Sequence, residues 1–273
     1  MKPQNQSERV TGLIFTAAVT IVSRTLIVRD RLLGRMKRTS NSDPAGQNTS
    51  RHWIARDDDK ILDAVFVTPA RDSAKAALLI CHGIGETVDH WLTVQNLLAS
   101  HGIASLIFDY AGYGKSTGSI GWKQCEHDTV AAFRFLKALL PHLPVSVLGF
   151  SMGSGIASAV LDRIVPDHLI LCSSFTSFRA AALTLGVPRR LSSLVPPIWN
   201  TLESLPHCSS PVLILHCEQD RVFPTQMALD LASCCDPHAN LVIIPNHQHN
   251  EPFYRPQLRY WNHVVSHLVS YHR

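Results

Sequence analysis

The sequence predicts an α/β protein in which a mostly parallel central sheet is covered by helices on both faces. From residue 54 onward, apolar runs of strand length alternate with stretches whose apolar residues recur at helical spacing. One run, KAALLICHG at residues 75–83, is almost continuously apolar, which is typical of a strand buried on both faces. No internal repeat is present, and strands that alternate with helices favour this class.

The elements follow one another along the chain. A weakly alternating strand is expected at 60–69, because an antiparallel strand with one solvated face has this pattern. The buried strand at 75–83 comes next, and a helix that ends in glycine follows at 88–102. The remaining predicted elements are a strand at 103–110, a helix at 122–141, a strand at 144–150, a helix at 152–164, strands at 168–175, 211–220 and 239–246, and a final helix at 256–273.

An insertion with several prolines lies between Ser173 and Pro211. It is long enough for one helix and a loop, so it predicts a minimal lid and a fairly open site. Its apolar side chains either line an acyl pocket or pack into the core. They are Phe175, Leu183, Leu185, Leu194, Val195 and Trp199.

Ser151 lies between Gly149 and Gly153 in a Gly-x-Ser-x-Gly motif, which is weak evidence by itself. Its context strengthens it, because an apolar strand ends at the motif and a helix of small residues begins after it. A sharp turn of this kind projects the hydroxyl above the sheet, and the start of the helix favours developing negative charge. We therefore predict that Ser151 is a nucleophile, the alternative being an ordinary turn serine.

A serine nucleophile needs a base, and the base needs an acid that orients it. On this architecture the expected chain order is serine, acid, histidine. Asp220, at the end of the 211–220 strand, is the predicted acid, with Glu218 as its nearest rival. His247 and His249 both follow the next strand and both can reach the same edge of the sheet.

Acyl transfer also needs donors for an oxyanion. The backbone N–H of Met152 is one expected donor, since it directly follows the serine. The other is expected from the loop CHGIGE at 81–86, where the N–H of Ile84 is flanked by Gly83 and Gly85. These glycines would let the backbone turn to aim that N–H, whereas the alternative is a plain turn at the end of a strand.

Five segments together resemble the α/β-hydrolase superfamily over residues 54–273, most closely the small-lid hydrolases grouped with serine aminopeptidases and monoacylglycerol lipases. They are LLICHGIGE, FDYAGYGKSTG, VLGFSMGSG, PVLILHCEQDRVFP and NHQHNE. The resemblance implies an α/β-hydrolase fold with a Ser-His-Asp triad. Asn250 and Glu251 resemble the family's His-Asn-Asp ending, which favours His249 over His247 as the base.

Three positions depart from the family pattern. Ala111 replaces a usual arginine, which removes a supporting ion pair, and Cys217 replaces a usual glycine. The approach to the histidine reads NHQH in place of G-x-G-H. These differences affect fine geometry more than the triad itself.

The predicted function is hydrolysis of carboxylic esters or thioesters through an acyl-enzyme. Amide or peptide hydrolysis, acyl transfer to an alcohol and a catalytically silent interaction protein are the alternatives. No metal or organic cofactor is expected for this chemistry. The seven cysteines show no C-x-x-C spacing, and they are predicted to be reduced thiols without a zinc site.

The N-terminus differs in composition from the rest of the chain. The stretch at 10–28 is apolar apart from one arginine, and a basic stretch follows at 29–38. We divide the chain into this N-terminal segment, 1–38, a linker at 39–52 and a catalytic domain at 53–273. The segment is expected to span or lie on a membrane, and the basic stretch predicts a catalytic domain on the cytoplasmic side. A cleaved signal peptide, a packed amphipathic helix and a soluble cytoplasmic protein are the alternatives.

Charge is distributed unevenly between these parts. Residues 1–56 carry ten Lys and Arg against three Asp and Glu, whereas residues 57–273 carry fifteen against eighteen. The basic character therefore belongs to the N-terminus. A nucleic-acid-binding surface on the body is not expected, because phosphate contacts need clustered basic side chains.

Overall fold

The structure is a computed structural model that describes residues 48–56, 59–69, 74–235, 237–254 and 256–269. The apolar and basic segment at 1–38, with its predicted membrane contact, lies outside the described residues, as does most of the predicted linker. Among the helices that the structure describes, none is both long and apolar enough to cross a membrane.

Within the described residues, eight strands form one sheet in the order β1-β2-β4-β3-β5-β6-β7-β8. The first two pairings, β1 with β2 and β2 with β4, are antiparallel, and the others are parallel. The strands are β1 (Thr49–Ala55), β2 (Ile61–Val67), β3 (Ala76–Cys81), β4 (Ile103–Phe108), β5 (Val145–Phe150), β6 (Leu169–Cys172), β7 (Val212–Cys217) and β8 (Ala239–Ile244). The predicted mostly parallel sheet is confirmed.

Strand β1 begins at Thr49, so four residues of the stretch predicted as linker belong to the sheet. It is an edge strand, and most of its side chains are exposed or half-buried, so it lacks the apolar pattern that reveals a strand. Arg51 donates a 2.6 Å hydrogen bond from Nε to the buried Asp63 of β2, which adds a side-chain contact to the pairing of the two strands. Strand β1 can therefore be recognised only in the folded structure, where it pairs with β2.

The helices differ from the predicted ones mainly in length. The helix predicted at 88–102 is a 3₁₀ turn, Val88–His90, followed by a helix of nine residues. The α-helices are α1 (Leu92–Ser100), α2 (Trp122–Leu139), α3 (Met152–Ala159), α4 (Phe178–Thr184), α5 (Thr201–Ser204), α6 (Thr225–Cys234), α7 (Glu251–Tyr254) and α8 (Leu258–Val269). Helix α6 was not predicted, because its ten residues bury only Ala228 and Leu231 and give a weak periodic signal.

Two apolar clusters lie on opposite faces of the sheet. Side chains of α2, α3 and α6 pack into the larger cluster, and side chains of α1 and α8 pack into the other. Trp91 and Trp261 are fully buried in the second cluster, with ring centroids 6.2 Å apart. This arrangement confirms helices on both faces, and it leaves the ends of the parallel strands free to support a site.

The lid insertion, residues 173–211, is more divided than one helix and a loop. It contains the short helices α4 and α5 and two 3₁₀ segments, Arg189–Leu194 and Leu205–His207. Phe175, Val195 and Trp199 are buried in it, whereas Leu185 and Leu194 are exposed. Of the two predicted roles, core packing therefore applies to Phe175, Val195 and Trp199. Neither exposed leucine packs into the core.

Candidate active site

Ser151 occupies the sharp turn between β5 and α3. Its φ of +51° is a conformation that a non-glycine residue rarely adopts, and its side chain is largely buried. A Cβ on Gly153 would lie 1.9 Å from the carbonyl oxygen of Cys81, and a Cβ on Gly149 would lie 2.5 Å from Ser154 Cα. Both glycines are therefore required by close backbone approach, and together they allow the strained turn that presents the hydroxyl.

Ser151, His249 and Asp220 form one continuous chain of contacts. His249 Nε2 lies 3.0 Å from Ser151 Oγ, and His249 Nδ1 lies 2.6 Å from Asp220 Oδ2. Since a carboxylate can only accept, Nδ1–H donates to Asp220 and the Nε2 lone pair faces the serine hydroxyl. The serine and the acid lie beyond the C-terminal ends of β5 and β7, where parallel strands present functional side chains.

Backbone amides hold the carboxylate of Asp220 in this orientation. Its Oδ1 accepts hydrogen bonds from the amides of Val222, at 2.7 Å, and Phe223, at 2.9 Å. Burial by itself raises the pKa of Asp220, but the hydrogen bond and charge of His249, with the amide of Phe223, lower it below its ordinary value. Asp220 therefore stays ionised at neutral pH and can orient the imidazole.

The rival residues are engaged elsewhere. Glu218 accepts a 3.1 Å hydrogen bond from the amide of Asn246. His247 Nδ1 lies 2.8 Å from the carbonyl oxygen of Pro245. The structure therefore brings Asp220 and His249 to the serine, and neither Glu218 nor His247 takes part in this chain of contacts.

Three further side chains surround the histidine and the acid, and sequence reasoning missed them. The rings of Phe150 and Phe223 lie 5.2 and 5.3 Å from that of His249. His216 is fully buried, and its Nε2 lies 3.0 Å from the carbonyl oxygen of Phe223 and 3.7 Å from Asp220 Oδ2. Burial lowers the pKa of His216, which is therefore neutral at pH 7 and donates to that carbonyl. The sequence feature that could have identified His216 is its position in β7, four residues before Asp220.

The two predicted oxyanion donors belong to the start of α3 and to the loop that follows β3. Met152 is the first residue of α3, where helix amides lack intrahelical acceptors. Ile84 lies in the loop after β3, beside Gly85, whose φ is +76°. Glu86 braces this loop, because its Oε2 accepts from the amide of Gly83 at 2.9 Å and from Trp91 Nε1 at 3.0 Å. That brace fixes the path of the loop next to the site.

A buried pair lies behind the same loop. His82 Nδ1–H donates to the carbonyl oxygen of Gly83 at 2.8 Å, and His82 Nε2 lies 3.6 Å from Asp109 Oδ1. Burial lowers the pKa of His82 to about 4 and raises the pKa of Asp109 to about 7. At neutral pH His82 is therefore uncharged, and it stabilises the loop by hydrogen bonding and packing and not by charge.

An ion pair supports the loop at Ala111 even though the family's arginine is missing there. The amide of Ala111 donates a 2.8 Å hydrogen bond to Asp128 Oδ2. Asp128 is buried on α2 and also forms an ion pair with Arg56, which directly follows β1. A basic side chain from the other edge of the sheet therefore reaches this part of the structure.

No three His, Cys, Asp or Glu side chains within the described ranges are grouped so that they could hold a metal ion.

Comparison with known proteins agrees with this fold. A family model described as serine aminopeptidase, S33, matches residues 72–202. The Pyrococcus furiosus esterase Pf2001 superimposes with a TM-score of 0.69 at 18% identity, covering 86% of this chain and 98% of the esterase. The Xanthomonas campestris protein XC6422, described as an α/β serine hydrolase without a lid, gives 0.61 at 18% identity over 84% and 97% of the two chains. These likenesses show that the chain has the α/β-hydrolase fold.

Curated proteins that the chain resembles include lipases. The lysophosphatidylserine lipase ABHD12 of Macaca fascicularis is 32% identical over 64% of this chain and 49% of its own length. The human protein ABHD12B is 26% identical over 62% of this chain and 52% of its own length. The chain thus spans about half the length of the curated relatives it matches. The family-model match includes Ser151 but ends before Asp220 and His249.

Proposed function

We propose that this α/β hydrolase is a serine hydrolase that cleaves carboxylic esters or thioesters. The observation that supports this most directly is the run of contacts from Ser151 Oγ through His249 to Asp220. A serine hydroxyl is a weak nucleophile until a neighbouring base takes its proton, and His249 Nε2 lies at hydrogen-bond distance from it. The catalytic roles of these three residues are part of the proposal.

The reaction proceeds in two halves. His249 Nε2 takes the proton of Ser151 as Oγ attacks the substrate carbonyl carbon, and the amides of Met152 and Ile84 stabilise the resulting oxyanion. The tetrahedral intermediate collapses, and the leaving alkoxide or thiolate receives the proton from His249. Water then attacks the acyl-enzyme with His249 again as base, which releases the acid and restores the serine.

Asp220 has an orienting role in this scheme. It holds the His249 tautomer in which Nε2 is unprotonated, and it stabilises the imidazolium that forms in each half-reaction. The amides of Val222 and Phe223 keep Asp220 charged and in place. Phe150 and Phe223 restrict the ring of His249, so the base is positioned before substrate binds.

We further propose that the substrate is a lipid ester of the lysophospholipid class. The curated relatives named lysophosphatidylserine lipases support this, and so does the surface of the lid insertion. Residues 174–200 contain three arginines and no Asp or Glu. Leu185, Leu191 and Leu194 are exposed among them. Exposed leucines beside arginines suit an anionic lipid surface.

The N-terminal segment belongs to the same proposal. An apolar stretch followed by basic residues at 1–38 would keep the hydrolase at a membrane with its catalytic domain on the cytoplasmic side. The catalytic domain would then begin at β1, after a linker that is shorter than 39–52.

A fluorophosphonate probe tests the hydrolase proposal on the full chain. We expect the wild-type protein to be labelled, peptide mapping to place the label on Ser151, and a long-chain ester to compete with the probe. Matched p-nitrophenyl ester and p-nitroanilide substrates then separate ester from amide hydrolysis, and we expect turnover of the ester alone. Folded protein that neither reacts with the probe nor turns over an ester would support the silent interaction protein.

Aspartate at both Leu191 and Leu194 is expected to slow hydrolysis of an ester presented in phosphatidylserine-containing vesicles. Each leucine that leaves the lipid forfeits apolar burial, so we expect at least about a tenfold loss for the pair. Turnover of a soluble short-chain ester should stay unchanged, since both leucine side chains are exposed on the surface of the insertion. The control is Val165→Asp, which changes a 72% exposed apolar residue outside the lid. Equal losses in both variants would contradict a lipid-facing lid.

A further inference from the structure

Three cysteines line one small cavity at the end of the sheet remote from Ser151. The cavity has a volume of about 110 Å³ and adjoins Val212, the first residue of β7. Asp220 lies beyond the other end of that strand, which six residues at about 3.3 Å each place roughly 20 Å away. The lining residues are Leu205, Pro206, Cys208, Val212, Cys234, Cys235 and His238. None of them belongs to the candidate active site.

Two of these thiols are already adjacent. Cys234 Sγ lies 3.7 Å from Cys235 Sγ at the C-terminal end of α6. Cys234 and Cys208 are half-buried, and Cys235 is 6% exposed. All three are free thiols, and the remaining four cysteines of the chain, Cys81, Cys125, Cys172 and Cys217, are fully buried in the core. A reagent that enters the cavity therefore meets a pair of neighbouring thiols, with Cys208 in the same wall.

The walls of the cavity determine which reagent suits the pair. Leu205, Pro206 and Val212 are apolar, so they favour a ligand with an organic group over a hydrated ion. Burial also raises the pKa of Cys235 to about 12, which keeps its thiol protonated at neutral pH. Condensation of two thiols with an arsenoxide gives an uncharged product and water, so no charge is left buried against these apolar walls.

We propose that Cys234 and Cys235 form a vicinal-dithiol site for organic arsenoxides. In the reaction R–As=O takes up both thiols, two As–S bonds form, and the arsenoxide oxygen leaves as water with the two thiol protons. Arsenic remains trivalent, so neither an oxidant nor a reductant is needed. The organic group R lies against the apolar wall, and Cys208 borders the site without being required for it. This site does not depend on the proposed hydrolase function.

Phenylarsine oxide and intact-mass analysis test the site on the folded full chain. We expect one equivalent to add to the wild-type protein, to survive excess 2-mercaptoethanol, and to be removed by 2,3-dimercaptopropanol. Serine or alanine at either Cys234 or Cys235 leaves one thiol and loses the chelate, so apparent affinity should fall by about 100-fold or more. Circular dichroism checks that each variant is folded.

The matched controls are Cys208→Ser, which keeps the vicinal pair, and Ser151→Ala, which removes the proposed nucleophile. Both should bind phenylarsine oxide as the wild-type protein does. An adduct that persists in a folded Cys234→Ser/Cys235→Ser double variant would overturn the proposal, as would an adduct that 2-mercaptoethanol removes. Because Ser151→Ala keeps the dithiol, failure of this site is distinguishable from failure of the hydrolase proposal.

Discussion

Alanine at Ser151 or at His249 is expected to lower kcat for an ester by about 10⁶-fold, and the double variant should be no slower than either single variant. The two residues act as one unit, since the serine is nucleophilic only while His249 Nε2 takes its proton. Once either is absent, the oxyanion amides and substrate binding alone remain. Steady-state and single-turnover rates on one p-nitrophenyl ester measure all three variants.

His247→Ala is the matched control for this experiment. His247 is two residues from the proposed base, and its Nδ1 lies beside the carbonyl oxygen of Pro245, away from the contacts to Ser151. Its turnover should therefore be close to that of the wild-type protein. A large loss for His247→Ala with little effect of His249→Ala would assign the base to the other histidine. If the losses in kcat of Ser151→Ala and His249→Ala multiplied in the double variant, the two residues would not act as a single catalytic unit.

Alanine at Gly153 should destabilise the folded state by about 3 kcal/mol or more. The added Cβ would lie 1.9 Å from the backbone carbonyl oxygen of Cys81. The position of a Cβ is set by the backbone, so no side-chain rotation can relieve this clash. Helix α3 would have to move away from β3, and the serine turn would move with it. Urea denaturation, monitored by tryptophan fluorescence, measures the change in the free energy of unfolding. Any protein that still folds should also show reduced labelling by the fluorophosphonate probe.

Gly121→Ala is the control for the change in conformational entropy of the unfolded chain that follows from replacing any glycine by alanine. Gly121 precedes α2 with a φ of −165°, and a Cβ there meets only the flexible side chain of Gln124, at 3.3 Å. We expect its free energy of unfolding to change by less than about 1 kcal/mol. If Gly153→Ala were as stable as Gly121→Ala, the close approach of α3 to β3 would not be a constraint on this fold.

Much of the fold follows from local pattern. The apolar runs of β3 to β7 predict buried parallel strands, and the glycines around Ser151 predict a strand-to-helix turn. Strand β1 and helix α6 escaped prediction for a common reason. Each exposes much of its surface, so its stability comes from pairing or packing with elements distant in the sequence, and its own residues carry little periodic signal.

The supporting contacts of the site are also invisible in the sequence. Arg56 and Asp128, whose ion pair supports the loop at Ala111, are 72 residues apart. Phe223 contacts the ring of His249, donates its amide to Asp220 and accepts at its carbonyl from His216. No motif specifies such a residue, because its role depends on where the loop after β7 meets the loop after β8.

By itself the sequence determined the class of fold, the strained position of Ser151 and the chain order of an acid and a histidine after it. Those features depend on residue type and on neighbours within a few positions. Tertiary structure decided which acid and which histidine reach the serine. Glu218 and Asp220, like His247 and His249, are two residues apart in the same loops, and only the hydrogen bonds that fix those loops separate them. Such contacts join residues far apart along the chain, and local sequence pattern does not encode them.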